Sequence, residues 1–207
     1  MRALLEACDF PLAAPSANKS GFISPTSADH VLASLDGRID LVLDAGDHEG
    51  GDCEAGACEA GVESTILGFG EDGSVKELRA GPIDWEGAPG FLGNDSLETP
   101  SNISPITAPG QLASHYSPGK PVRLNAEMAE ADEFMIGFGS VAGDCTLSAS
   151  GDLKQAAASL YACLHLGADS QHSRIAVAPI SEEGPQSSLG RAINDRLRRA
   201  ATPAETG

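Results

Sequence analysis

The fold class this sequence predicts is α/β, and two stretches predict it. Between residues 133 and 201 an apolar strand-like run, a helical period, a second strand-like run and a second helical period alternate, which calls for parallel pairing through helical crossovers. Upstream, β-rich runs at 39–45, 62–67 and 75–79 are separated by glycine- and proline-rich connections.

Taken in order, residues 1–8 read as the end of a helix, with Leu4 and Leu5 apolar among Arg2, Glu6 and Ala7. Pro11 and Pro15 then stiffen the backbone into an extended lead. Ser16, Asn18, Ser20 and Gly21 follow with hydroxyls, an amide and free N–H groups, the chemistry of an anion cradle. The same residue types are the commonest turn formers, so taken alone this stretch reads as a turn. Thr26 caps the next helix with Asp29 closing a capping box; Ala28, Val31, Leu32 and Leu35 form its buried stripe and Gly37 ends it. Residues 39–45 read as a buried strand, and 46–61, acidic and glycine-rich, as a loop in which Cys-Glu-Ala-Gly occurs twice.

In the strand predicted at 62–67, alternation sets Glu63 and Thr65 opposite Val62, Ser64 and Ile66. Residues 75–79 form the next strand, and 84–110 a long irregular connection that runs into a proline-rich linker holding the pair His115-Tyr116. The chain then changes character, with a boundary near 120–130. A strand at 133–140 precedes a helix at 152–168 whose inward stripe is Leu153, Ala157, Leu160 and Leu164. A strand at 174–180 leads to a last helix at 187–201, with Leu189, Ile193 and Leu197 inward and Arg196, Arg198 and Arg199 near its C-terminal end, where positive charge suits the dipole.

Thirty acidic residues against 13 basic ones give a formal charge of −17. Autonomous nucleic-acid binding is thereby disfavoured, because gripping a phosphate backbone takes clustered Lys and Arg. Anion binding is confined to a locally basic or N–H-lined pocket. No apolar run reaches membrane-span length and no signal peptide opens the chain, so a cytoplasmic location is expected. Five scattered cysteines argue against a disulfide framework, and Cys53 and Cys58 lack the second ligand pair of a metal site.

Four signals stand in sequence order: Ala14-Pro15-Ser16-Ala17-Asn18 with Ser24-Pro25-Thr26, then Gly61-Val62-Glu63-Ser64-Thr65-Ile66, then Leu78-Arg79-Ala80-Gly81, then Ser114-His115-Tyr116-Ser117-Pro118. With the ending Gly190-Arg191-Ala192-Ile193-Asn194-Asp195-Arg196-Leu197, the chain resembles the YrdC-type threonylcarbamoyl-AMP synthases in their two-domain form. The resemblance implies the C-terminal portion of a twisted-sheet YrdC-like domain over 1–108, a linker over 109–130 that folds across the active site, and a small Rossmann-like α/β domain over 131–207. It implies adenylate formation from L-threonine, bicarbonate and ATP with release of pyrophosphate, toward a modified adenosine in tRNA, with downstream tRNA-modifying enzymes as partners. Magnesium is expected through the triphosphate.

Residue by residue, the resemblance makes Ser16 and Asn18 the catalytic Ser-x-Asn element, with Ser16, Ser24, Arg79 and Tyr116 on ATP and Ala14 and Ser64 on L-threonine. It also implies a Lys-x-Arg element before the Ser-x-Asn loop, which residues 1–15 do not hold; Arg2 is the only basic residue there. The expectation is therefore a site wall without autonomous catalysis. A non-catalytic nucleotide- or partner-binding module and a poorly folded fragment are the competing readings.

Overall fold

The computed structural model describes residues 2–44, 61–70, 75–85 and 114–203. The architecture is α/β. A four-stranded parallel sheet of order β3-β6-β4-β5 is built from β3 (Val122–Arg123), β4 (Glu133–Gly137), β5 (Cys145–Thr146) and β6 (Arg174–Val177). Two helices, α3 (Leu153–Asp169) and α4 (Ser187–Ala201), cover one face. Upstream lie α1 (Arg2–Ala7), α2 (Ala28–Leu35) and an antiparallel pair, β1 (Ile66–Phe69) with β2 (Val75–Arg79).

The helices form where the sequence repeats its apolar period. Asp152 caps α3 by accepting from the Gln155 N–H at 2.7 Å, and Leu160 and Leu164 pack on Ile136, Ile175 and Val177 of the sheet, all fully buried. Each such side chain contributes roughly 1.5–3 kcal/mol by leaving water. The core does not stop at the sheet domain: Ile23, Val62 and Tyr116 belong to the same buried cluster as Leu160, Ile193 and Leu197. Two glycines make that junction possible. A Cβ on Gly61, whose φ is +61°, would stand 2.2 Å from the Ala157 backbone of α3, and one on Gly81 would stand 2.2 Å from the Thr65 nitrogen. The 61–65 segment is thus pressed between α3 and the end of β2.

Several expectations are corrected. Helix α2 is capped by Ser27, whose hydroxyl accepts from the His30 N–H, so Thr26 and Asp29 form no capping box; none of its residues is buried and Leu32 is exposed. Residues 39–44 are not a strand, and Leu41 and Leu43 are solvent-exposed, since no strand among the described residues pairs with them. The strand expected from Val62 begins at Ile66, because the Ser64 carbonyl accepts from Arg79 rather than from a ladder partner. The disulfide expectation also fails: packing of β5 on α3 brings Cys145 and Cys163 together in a disulfide. The duplicated Cys-Glu-Ala-Gly loop, bar Gly61, and the connection from residue 86 to 113 lie outside the described residues. Among the described residues no helix is long and apolar enough to cross a membrane.

The sheet edge carries a pH-sensitive contact. Arg123 on β3 donates Nε to Glu133 Oε1 at 3.0 Å and Nη2 to Oε2 at 2.6 Å, and the Glu130 N–H adds a third bond at 2.8 Å. The guanidinium outweighs burial and lowers the Glu133 carboxyl from its ordinary 4.5 to about 2. Because the folded value lies below the unfolded one, this stabilisation is complete above pH 4.5 and lost as pH falls toward 2. Glu133→Gln is therefore expected to melt below the wild type at neutral pH. The gap should close on acidification, as thermal scans across that window would show.

Candidate functional site

The loop that opens the chain is a structured turn. Ala17 has φ 56° and Gly21 φ 86°, and Asn18 closes the turn by donating Nδ2 to the carbonyls of Lys19 and Phe22, both at 2.9 Å. Its Oδ1 is buried and has no partner, an acceptor left over inside the turn. The Lys19 N–H donates to Ser34 on α2 at 2.9 Å. Ala14 and Ser16 sit on the exposed side of this loop. The segment that holds His115 and Tyr116 is joined to the same loop: the Ser117 N–H donates to Gly21 O at 2.9 Å, and Phe22 and Ser117 form a parallel bridge.

Beyond the turn the chain enters a buried polar cluster centred on Glu63. Its carboxylate accepts from Ser24 Oγ at 3.1 Å, from the Tyr161 hydroxyl at 2.9 and 2.7 Å, and from Arg196 Nε at 3.1 Å. Burial pushes the Glu63 carboxyl up, but Arg196 and the Tyr161 hydroxyl more than offset it, so its pKa lies below the ordinary value. Burial and the Glu63 charge push the Tyr161 phenol well above its usual range, which keeps it a donor. Tyr116, only 1% exposed and at φ 60°, lies with its ring 5.5 Å from that of Tyr161 and 5.9 Å from the Arg196 guanidinium. His115 packs edge-on against Tyr116, and burial pulls its pKa down, favouring the neutral ring.

Next to the cluster, Ser64 and Arg79 meet directly. Arg79 donates Nε to Ser64 O at 2.9 Å and Nη2 to Ser64 Oγ at 3.2 Å. The pair offers a hydroxyl and a guanidinium side by side, a surface suited to an amino acid next to a phosphate. Arg79 also lines a cleft of about 170 Å³ between β2 and α4, together with Arg191, Arg198 and Arg199 and the acids Glu77, Glu182 and Asp195.

Of the expected residues, Ser24 bonds Glu63, Arg79 bonds its neighbour Ser64, and Tyr116 lies against Tyr161 and Arg196, which are both bonded to Glu63. Asn18 is held in the neighbouring turn, and among the described residues no hydrogen bond joins Ala14 or Ser16 to Ser64, Arg79 or Tyr116. Glu63, Tyr161 and Arg196 are the residues that sequence reasoning missed. Arg196, read as a dipole partner at a helix end, is fully buried. Its position was a signal: 189, 193, 196, 197 and 200 share the inward face, and an arginine there requires a buried acid.

Comparison with known proteins places the chain among relatives of one family. The family described as "Threonylcarbamoyl-AMP synthase, C-terminal domain" matches residues 75–202, and the family described as "Telomere recombination" matches residues 1–81. Threonylcarbamoyl-AMP synthase of Bacillus subtilis is 31% identical over 96% of this chain and 59% of its own length; that of Pyrococcus abyssi is 29% identical over 96% and 60%. Among solved structures, P. abyssi Sua5 complexed with L-threonine superposes with a TM-score of 0.69 at 28% identity, covering 96% of this chain and 60% of that one. A P. abyssi Sua5 variant with an adjacent histidine and tyrosine replaced by alanines gives a TM-score of 0.70 at 25% identity, covering 96% and 59%. The chain thus spans about 60% of the length of these two curated relatives.

Proposed function

This chain belongs to the threonylcarbamoyl-AMP synthase family, and from that premise we propose that it supplies the L-threonine- and ATP-binding wall of an enzyme that forms threonylcarbamoyl adenylate. In that reaction bicarbonate and the threonine amine condense with loss of water to give a carbamate, the carbamate oxygen attacks the α-phosphorus of ATP, and pyrophosphate leaves. Positioning and charge neutralisation carry such a transfer, with little covalent work for the protein.

In this reading Ser64, with the Ala14 backbone, takes L-threonine. Arg79 neutralises the phosphates, Ser16 and Asn18 approach the nucleotide from the turn, and Ser24 approaches it from the segment beyond. Tyr116 closes the site from the linker. The contact between Ser64 and Arg79 is the observation that carries the reading, because it sets an amino-acid contact and a phosphate contact next to each other. Among the described residues no group of three His, Cys, Asp or Glu side chains could hold a metal, so no residue is assigned to magnesium and no step is derived through it. Bicarbonate as the carbon source, service to tRNA modification and a cytoplasmic location are parts of the same proposal.

Calorimetry tests it. L-threonine and ATP, titrated separately, are each expected to bind. Ser64→Ala should weaken threonine roughly tenfold and Arg79→Ala should weaken ATP by at least as much, the loss of one hydrogen bond or one charged contact. No heat from either compound at millimolar concentration would overturn the reading.

A further inference from the structure

The motif at the end of the chain has no part in the reading above, yet one of its side chains reaches the site from behind. Arg196 is completely buried on α4, and its guanidinium makes more than an ion pair. Nε donates to Glu63 Oε2 at 3.1 Å, Nη2 to the Glu63 carbonyl at 3.3 Å, and Nη1 to the Ala80 carbonyl at 2.6 Å and to Asp195 Oδ2 at 3.2 Å. Glu63 precedes Ser64 and Ala80 follows Arg79. A single planar fork therefore holds the main chain of both segments that carry the Ser64–Arg79 pair.

We propose that Arg196, with Glu63 as its anchor, is a positioning residue: the C-terminal helix sets the separation of the 61–65 segment from the end of β2, and so holds Ser64 and Arg79 face to face for ligand. This rests on the assignment of Ser64 and Arg79 to threonine and ATP. Three further contacts fit a device for setting position. Tyr161 on α3 and Ser24 on the opening loop donate to the same carboxylate, fixing its rotamer from two other elements. Gly81 lets the chain after Arg79 approach Thr65 so closely that no side chain fits between them. An ion pair serving stability alone would need only the carboxylate; here donors reach carbonyls on both sides of the site. Lysine keeps the charge but is a point donor that cannot span both carbonyls and the carboxylate.

The test uses the full chain labelled with ¹⁵N. Arg196→Lys is expected to bind L-threonine at least tenfold more weakly than the wild type and to shift the Arg79 Nε–H and Ser64 amide signals. Ile193→Val, a control in the core of the same helix, should lower the melting temperature with threonine affinity and both signals unchanged. Wild-type affinity together with unmoved Arg79 and Ser64 signals in Arg196→Lys would overturn the proposal. If that variant does not fold, Glu63→Gln, which keeps the volume and removes the charge, decides by the same two readouts. Should the wild type itself fail to bind threonine, the functional assignment falls, while the Arg79 and Ser64 signals still decide whether Arg196 positions them.

Discussion

Replacing Arg196 with methionine is expected to lower the free energy of unfolding by about 3 kcal/mol, the low end of what breaking a buried ion pair costs. The low end applies because the Glu63 side chain keeps 25% exposure and the Tyr161 and Ser24 donors, whereas Arg196 itself is 0% exposed. The Ala80 and Glu63 carbonyls lose a donor at the same time. Distance alone would mislead here. Arg198 and Glu182 are closer, at 2.6 Å, but their side chains are 61% and 40% exposed, and an exposed pair contributes about 1 kcal/mol at most. Urea titrations of Arg196→Met and Arg198→Met should therefore rank opposite to the pair distances. Adding Glu63→Leu to Arg196→Met should recover part of the loss, because an apolar replacement removes the stranded charge.

Gly61→Ala is the second large effect. The new Cβ would lie 2.2 Å from the carbonyl carbon and oxygen of Ala157, which are helix backbone and cannot rotate away, and the residue would have to keep a φ of +61°. The left-handed backbone alone costs about 1–2 kcal/mol. Relieving the clash requires the 61–65 segment to lift off α3, and the total expected is about 4 kcal/mol, in the range reserved for a few specific mechanisms. Gly21→Ala isolates the backbone contribution: φ is +86° but nothing stands within 4 Å, so about 1 kcal/mol is expected. Equal losses in the two variants would show that the close approach to α3 carries no weight.

The parts of the fold that could be read in advance are those whose apolar period meets a complete core. Residues 187–201 form α4 and 75–79 form β2 as the periodicity predicts, and α3 starts one residue after its predicted beginning at Asp152, which is its cap. Where side chains rather than period hold the chain, the pattern misleads. Val62 to Thr65 alternates like a strand, but Glu63 is occupied by α3 and α4 and Ser64 by Arg79. Residues 39–44 have strand-forming composition without a partner among the described residues, and composition alone does not supply hydrogen bonds. Strands β3 and β5, two residues each, are too short to show any period.

The site divides in the same way. The family resemblance points to Ser24, Ser64, Arg79 and Tyr116 through motifs that lie in fixed order along the chain. The network on Glu63 could not be read in this way, because its partners Tyr161 and Arg196 stand 98 and 133 residues away. Cys145 and Cys163 are hidden likewise, since only the packing of β5 on α3 shows that their side chains meet.

A crystal structure with L-threonine and a non-hydrolysable ATP analogue tests the central claim most directly. The account predicts the amino acid within hydrogen-bonding distance of Ser64 Oγ and the phosphates beside the Arg79 guanidinium, with Arg196 still joined to Glu63 and Ala80. Threonine and nucleotide bound away from Ser64 and Arg79, or an empty pair at saturating concentrations of both, would contradict it.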